Sequence, residues 1–204
     1  MKNADSQKVD FRSGYVTLVG APNAGKSTLL NAMLREKIAI TTPKPQTTRD
    51  AIVGIKHLPD AQIVFVDTPG IHRAKGKLNK VMVQSAIDSL STVDVVVFVV
   101  DAARHSRQGG EGDILRRDEE VLKHLHTARK PVVLLLNKVD RIKRNEVLPL
   151  IATWGELFPF EAIIPVSAKK GDGLPEVFAE LRSRLPSGPP LFPDDMITDR
   201  SMRF

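Results

Sequence analysis

Residues 20–28 read Gly20-Ala21-Pro22-Asn23-Ala24-Gly25-Lys26-Ser27-Thr28. The first eight form the pattern G-x-x-x-x-G-K-S, which comes directly after an apolar run and directly before a helical pattern. Glycines let the backbone of such a loop point its amides at phosphate oxygens, and the following helix adds its N-terminal dipole. We therefore expect these nine residues to cradle phosphates, with Lys26 bridging the outer phosphates and Ser27 holding Mg²⁺. The alternative, a plain glycine turn, does not account for the strand–loop–helix setting.

On either side of this loop, short apolar runs alternate with helical patterns. Strands are predicted at 15–20, 51–58, 61–67, 93–101, 131–137 and 162–166, and helices at 26–34, 77–90, 117–128, 145–156 and 174–185. Several strands are apolar throughout, which is typical of strands covered on both faces. The pattern predicts an α/β fold: a doubly wound, mostly parallel six-stranded sheet with helices on both faces. The 51–58 and 61–67 strands are joined by a short step, so they are expected to form its one antiparallel pair.

Three segments lie outside this alternation. Residues 1–13 are expected to form a flexible N-terminal arm, 14–185 one domain, and 186–204 a proline-rich linker leading to a further domain. Within the domain, 104–117 contains three glycines in a polar context, which predicts a mobile loop.

Composition narrows the function classes. The chain has 204 residues, of which 42% are hydrophobic and 26% charged, as in ordinary globular domains. It has no cysteine, which excludes disulfides, thiol catalysis and cysteine metal sites. The apolar runs are too short to span a membrane, and the polar N-terminus gives no expectation of export. A formal charge of +6 favours an anionic partner.

Residues 67–70 are predicted to sense the metal and the terminal phosphate. They read Asp67-Thr68-Pro69-Gly70 and close an apolar strand. A carboxylate at a strand tip can hold Mg²⁺ through its water shell, and Gly70 leaves its amide free to approach a γ-phosphate. Thr47 and Thr48 lie between the first helix and the second strand. A threonine there can complete the Mg²⁺ coordination, and we favour Thr48.

Residues 137–140 are predicted to read a base. Asn137, Lys138 and Asp140 follow a buried strand, and one carboxylate can accept both donors on the guanine edge. Adenine lacks those donors and would leave Asp140 unpaired. Asn137 can bond the base and tie neighbouring loops together, and the Lys138 stem can cover the ring. The Ser167-Ala168-Lys169 triplet follows the last strand, where the Ala168 amide is expected to meet the base oxygen.

These motifs, in this order, resemble the P-loop GTPases of the Era type. The specific likeness lies in Lys44-Pro-Gln-Thr-Thr-Arg49 and in the terminal Ile197–Phe204 octapeptide. The resemblance implies binding of GTP and GDP with Mg²⁺, slow GTP hydrolysis, and an RNA-binding KH domain following the linker. It also implies action on 16S ribosomal RNA during assembly of the 30S subunit, a cytoplasmic location with peripheral contact to the inner membrane, and a monomeric fragment.

The resemblance also bears on catalysis. Ile71 stands where many GTPases have a water-orienting glutamine, so turnover is expected to be on the order of 10⁻³ s⁻¹ or less. Relatives with Pro-Asn-x-Gly-Lys-Ser imply that Asn23 ligates K⁺ beside the phosphates, the alternative being that Asn23 only shapes the loop. Lys26, Thr48 and Gly70 are the expected catalytic residues. Two functions remain as alternatives: a nucleotide-binding module with negligible hydrolysis, and a related GTPase acting on a different RNA.

Overall fold

A six-stranded sheet forms the centre of the described part of the chain. The structure, a computed structural model, describes residues 10–34, 51–67, 90, 92–108 and 111–193. The strands are β1 (Arg12–Val19), β2 (Ala51–Leu58), β3 (Ala61–Asp67), β4 (Val95–Asp101), β5 (Val132–Asn137) and β6 (Ala162–Val166). The described helices are α1 (Lys26–Leu34), α2 (Ala102–Gln108), α3 (Glu111–Ala128), α4 (Arg144–Leu157) and α5 (Leu174–Arg184), with a 3₁₀ turn at Val139–Arg141.

The strand order is β2-β3-β1-β4-β5-β6. β2 runs antiparallel to β3, and every other neighbouring pair is parallel. The predicted fold class is therefore confirmed. β2 and β3 lie on one side of β1, and β4, β5 and β6 lie on the other, so the direction in which strands are added reverses at β1. Such a switch point opens a crevice beyond the carboxyl ends of the strands. In open α/β sheets, that crevice is where ligands bind.

The helices divide the core into two layers, one on each face of the sheet. In β4, Val95, Val97 and Val99 face one layer, and Val96, Phe98 and Val100 face the other. The first layer is completed by Leu29 and Met33 of α1 and Val177 and Leu181 of α5. The second is completed by Leu122 and Leu125 of α3 and Leu150 and Trp154 of α4. Burying each such side chain is worth about 1.5–3 kcal/mol. Within the described residues, helices cover both faces of the sheet, which leaves its edges and ends for binding.

The segment after β4 departs from expectation. Instead of a mobile loop over 104–117, α2 covers Ala102–Gln108 and α3 begins at Glu111. The prediction weighted the glycines, but Arg, Gln, Glu and Leu around them are good helix formers. A buried contact also joins the two helices, since His105 Nε2 lies 3.3 Å from Asp118 Oδ2. Helices therefore occupy most of 104–117, and the predicted mobile loop is wrong.

Both ends of the described part of the chain contact the sheet. β1 begins at Arg12, within the expected arm, and the Ser13 N–H donates to the Pro186 carbonyl oxygen at 3.1 Å. Residues 186–193 pack against the sheet, with Ser187 bridged to Arg12 and Phe192 buried in the core. Residues 1–9, 194–204 and nearly all of the predicted 77–90 helix lie outside the described residues. Among the residues searched, none of the helices combines the length and apolarity that crossing a membrane requires.

Candidate nucleotide-binding site

Three of the predicted site segments lie at one end of the sheet. β1 ends at Val19 and leads into the 20–25 loop, β5 ends at Asn137, and β6 ends at Val166 just before Ser167. In the sheet register Asp101 of β4 lies opposite Asn137, which in turn lies opposite Val166. The parallel strands thus bring the phosphate loop and the two segments predicted to read the base, residues 137–140 and 167–169, to the same end of the sheet.

The phosphate loop needs glycine at both ends. Gly20 has a φ of 145° and Gly25 a φ of 101°, values that other residues rarely adopt. A side chain at Gly20 would run into the Val99 carbonyl oxygen, and one at Gly25 would run into the Asn137 side chain. Gly25 therefore permits the base-reading segment to approach the phosphate loop closely.

Lys26 begins α1 and folds over this loop. Its Nζ donates to the carbonyl oxygens of Gly20 at 2.8 Å and Ala21 at 3.0 Å. The ammonium group is thus held across the mouth of the loop, where an incoming phosphate would meet it. The first turn of α1 adds its amides, and the Leu29 N–H already donates to the Gly25 carbonyl oxygen at 2.8 Å.

The structure places only part of the predicted Mg²⁺ site. Ser27 and Thr28 are exposed on the first turn of α1, and the backbone of Asp67 ends β3. Thr47, Thr48, Thr68, Pro69, Gly70 and the Asp67 side chain lie outside the described residues. Among the described residues, Ser27 is exposed and offers a hydroxyl oxygen, the kind of donor that Mg²⁺ prefers. The donor chemistry of Ser27 therefore fits the ion.

Asn137 joins the three loops. Its Nδ2 donates to the Ala24 carbonyl oxygen at 2.8 Å, and its Oδ1 accepts from the backbone amides of Lys138 at 2.8 Å and Ala168 at 3.0 Å. Only 1% of Asn137 is exposed, so these bonds form away from water, where an unmade one would be costly. Asn137 thus ties the loops as predicted. The Ala168 amide, which was expected to meet the base oxygen, is engaged with Asn137.

Asp140 is oriented by a neighbouring loop. The Ser167 hydroxyl donates to Asp140 Oδ1 at 2.8 Å, and Ser167 itself is fully buried. Asp140 is partly exposed on the 3₁₀ turn, so its carboxylate borders both the protein and solvent. Lys169 is exposed on the adjoining turn. This arrangement leaves a carboxylate with a fixed direction at the rim of the crevice.

Lys138 reaches from the base-reading segment to the phosphate loop. Its Nζ donates to the Asn23 carbonyl oxygen at 2.7 Å and to Asp101 Oδ2 at 2.6 Å. Asp101 was missed at the sequence level. The available signal was an acidic residue that ends an apolar strand and precedes a helix, in line with Asn137 on the next strand.

Comparison with known proteins agrees with this geometry. Residues 15–138 match the family described as "50S ribosome-binding GTPase". The chain belongs to this GTPase family. Its curated relatives include GTPase Era of Geotalea uraniireducens, 49% identical over 95% of this chain, and GTPase Era of Syntrophus aciditrophicus, 42% identical over 100% of it. The resemblance to Era-type GTPases is thus confirmed. The chain spans 63% and 64% of the lengths of these two relatives.

Solved structures give the same result. An Era crystallised with MgGDPNP and a fragment of 16S ribosomal RNA superposes with a TM-score of 0.72 and 43% identity, covering 94% of this chain and 63% of that one. A variant of Aquifex aeolicus Era bound to GDP.AlF4⁻ superposes with a TM-score of 0.71 and 41% identity, again over 94% and 63% of the two chains. The G domain of the T. maritima FeoB iron transporter, at 22% identity and a TM-score of 0.55, covers 84% of this chain and 98% of its own, and shows the shared fold alone.

Proposed function

We propose that this chain binds GTP and GDP at the carboxyl edge of its sheet, hydrolyses GTP slowly, and acts as the switch domain of an Era-type GTPase. The observation that carries the proposal is the Asn137 side chain. It bonds the phosphate loop through Ala24 and the last loop through Ala168, and so sets the base-reading segment at a fixed distance from the phosphate cradle.

Guanine selectivity follows from Asp140. Ser167 holds one of its oxygens, and the carboxylate can accept the N1–H and the 2-amino donors of guanine together. An adenine in the same position offers neither donor, so a partly desolvated carboxylate would lose its water without gaining a bond.

Binding and hydrolysis require the phosphate charge to be offset. Lys26 and the amides of residues 20–28 supply the protein's share, and Ser27, Thr48 and Asp67 are proposed to hold Mg²⁺. Bound there, the ion neutralises charge on the β- and γ-phosphates. The Gly70 amide is proposed to contact the γ-phosphate. Ile71 cannot orient water, so hydrolysis is expected to be slow.

Asn23 is proposed to bind K⁺ beside the phosphates. Its side chain stands on the exposed rim of the phosphate loop, while its backbone carbonyl is held by Lys138. A cation there would offset charge that develops on the leaving oxygen, as an arginine finger does.

For the whole protein, we propose a role in assembly of the 30S ribosomal subunit in the cytoplasm, with RNA bound mainly by a KH domain beyond residue 204. The names of the relatives support this role, and so does the Era crystallised with a 16S RNA fragment. Any contact with the inner membrane is proposed to be peripheral, and the fragment to be monomeric.

A competition assay tests the central proposal. GTP and GDP should bind with Mg²⁺ far more tightly than ATP, and Asp140→Asn should shift the preference towards XTP, whose 2-oxo group accepts where guanine donates. Lys123→Ala, on the exposed face of α3, serves as the control and should leave the preference unchanged. Equal affinity for ATP and GTP would refute guanine reading.

Single-turnover kinetics separate a switch enzyme from the alternative, a binding module without hydrolysis. Release of phosphate from bound GTP on the timescale of minutes to an hour supports the enzyme. Bound GTP that stays intact over many hours supports the binding module.

A further inference from the structure

The carboxylate of Asp101 is shared between a helix and the candidate nucleotide site. Its Oδ1 accepts the Arg104 backbone N–H at 3.2 Å, which caps the first turn of α2. Its Oδ2 accepts Lys138 Nζ at 2.6 Å. The first bond fixes the direction of the carboxylate, and the second uses that direction to hold a cation.

The partner of Asp101 is Lys138, a flexible side chain that adopts one position only when its end is anchored. A lysine stem has more rotamer freedom than most side chains, so it covers a ring only where its end is anchored. The Lys138 ammonium is anchored twice, by Asp101 and by the Asn23 carbonyl oxygen at 2.7 Å. Its Cε lies 3.7 Å from the position that a Cβ on Gly25 would take. The stem therefore reaches from residue 138 to the phosphate loop.

The surroundings make this ion pair stronger than a typical surface pair. The side chains of Lys138 and Asp101 are 23% and 20% exposed, so water screens them only in part. The distance is that of a short charge-assisted hydrogen bond. The backbone of Lys138 is held as well, since its φ is 66° and its N–H donates to Asn137 Oδ1.

We propose that Asp101 is a positioning residue for the nucleotide: it holds the Lys138 ammonium against the phosphate loop so that the lysine stem covers the face of the purine. The inference rests on the proposed function, because it assigns a residue to the same site. It adds Asp101, which acts through Lys138 and touches no part of the nucleotide itself.

The proposal makes a specific prediction about base chemistry. A stem that covers the ring face contacts every purine alike, whereas Asp140 reads the edge. Loss of Asp101 should therefore lower the affinities for GDP and IDP by the same factor. Loss of the Asp140 carboxylate should lower the affinity for GDP more than that for IDP, because inosine lacks the 2-amino group.

The test uses Asp101→Asn, because asparagine caps a helix as well as aspartate does and so preserves α2. We expect the GDP dissociation rate, measured with a fluorescent GDP analogue and Mg²⁺, to rise about tenfold, the loss that a charge-assisted hydrogen bond represents. The control is Asp94→Asn, which makes the same charge change at the opposite end of β4, where Asp94 Oδ2 accepts the Tyr15 N–H at 2.7 Å. Its GDP dissociation rate should match the wild type.

A double-mutant cycle separates positioning from capping. Lys138→Met keeps the stem but removes the ammonium, so Asp101→Asn should have almost no further effect on GDP dissociation in that background. Full additivity of the two substitutions would overturn the inference, as would a wild-type rate for Asp101→Asn in a protein that binds GDP. A wild-type chain that fails to bind GDP at all would overturn the proposed function and this inference together.

Discussion

At the scale of single residues, Asn23 has a backbone that bears on its role. Its φ is 65°, in the left-handed region, which asparagine tolerates better than most residues other than glycine. This conformation turns the Asn23 carbonyl oxygen towards Lys138 Nζ. The backbone of Asn23 therefore shapes the loop, and the K⁺ binding proposed for its side chain is a separate role.

A pair of substitutions distinguishes the two roles. In the wild type, GTP hydrolysis should be several-fold faster in K⁺ than in Na⁺. Asn23→Gly keeps the left-handed backbone but removes the side-chain oxygen, so it should abolish this difference while GDP still binds. Asn23→Ala should do the same and also weaken GDP binding, because alanine strains the backbone. Equal wild-type hydrolysis rates in K⁺ and Na⁺ would contradict the K⁺ proposal.

At the scale of elements, β3 holds the end of the domain through one side chain. Gln62 is fully buried, and its Nε2 donates to the Phe192 carbonyl oxygen at 2.8 Å. Its Oε1 accepts the N–H groups of Leu191 at 2.8 Å and Phe192 at 2.9 Å. The Ser13 hydroxyl adds a bond to the Pro189 carbonyl oxygen at 2.6 Å. Residues 186–193 are therefore docked on the sheet, and a continuing chain would leave from a fixed point.

Removing the Gln62 amide should undock this segment. Gln62→Met keeps the length of the side chain but leaves two buried backbone groups of Phe192 and the partly buried Leu191 N–H without their partner, at a cost of about 2–3 kcal/mol. For a domain of this size that lowers the Tm by about 5–10 °C, and amide exchange at Leu191 and Phe192 should accelerate. The control is Leu148→Ala. Because Leu148 is 73% exposed, this substitution should shift the Tm by no more than about 1–2 °C. An unchanged Tm in Gln62→Met would show that the docking contributes nothing to stability.

At the scale of the whole molecule, one sheet carries both core layers and the loops that follow its strands. The phosphate loop, the base-reading turn and Ser167 come from distant parts of the chain, so a nucleotide that contacts all of them binds only the folded state. At one hundred times its Kd, GDP with Mg²⁺ should add about 2.7 kcal/mol and raise the Tm by about 5–10 °C. Thermal denaturation with ADP should show no such rise, and chelation of Mg²⁺ should reduce the rise with GDP. A Tm that is the same with and without GDP would contradict a site built across the domain.

Much of the fold was predictable because its signals are local. Apolar runs of strand length, the helical spacing between them and the short step at Pro59–Asp60 led to a sheet with one antiparallel pair, and the structure confirms it. The error at 104–117 came from reading glycines alone. The buried contact between His105 and Asp118 joins residues that no local pattern links.

Local patterns in the chain are enough to predict the fold class, the phosphate-loop and base-reading motifs, and their places at strand ends, because each depends on adjacent residues. The bonds of Asn137 to Ala24 and Ala168, of Lys138 to Asp101, and of Gln62 to residues 191–192 could be found only in the folded chain. These partners are separated by 31 to 130 positions, so their contact depends on strand order, register and burial.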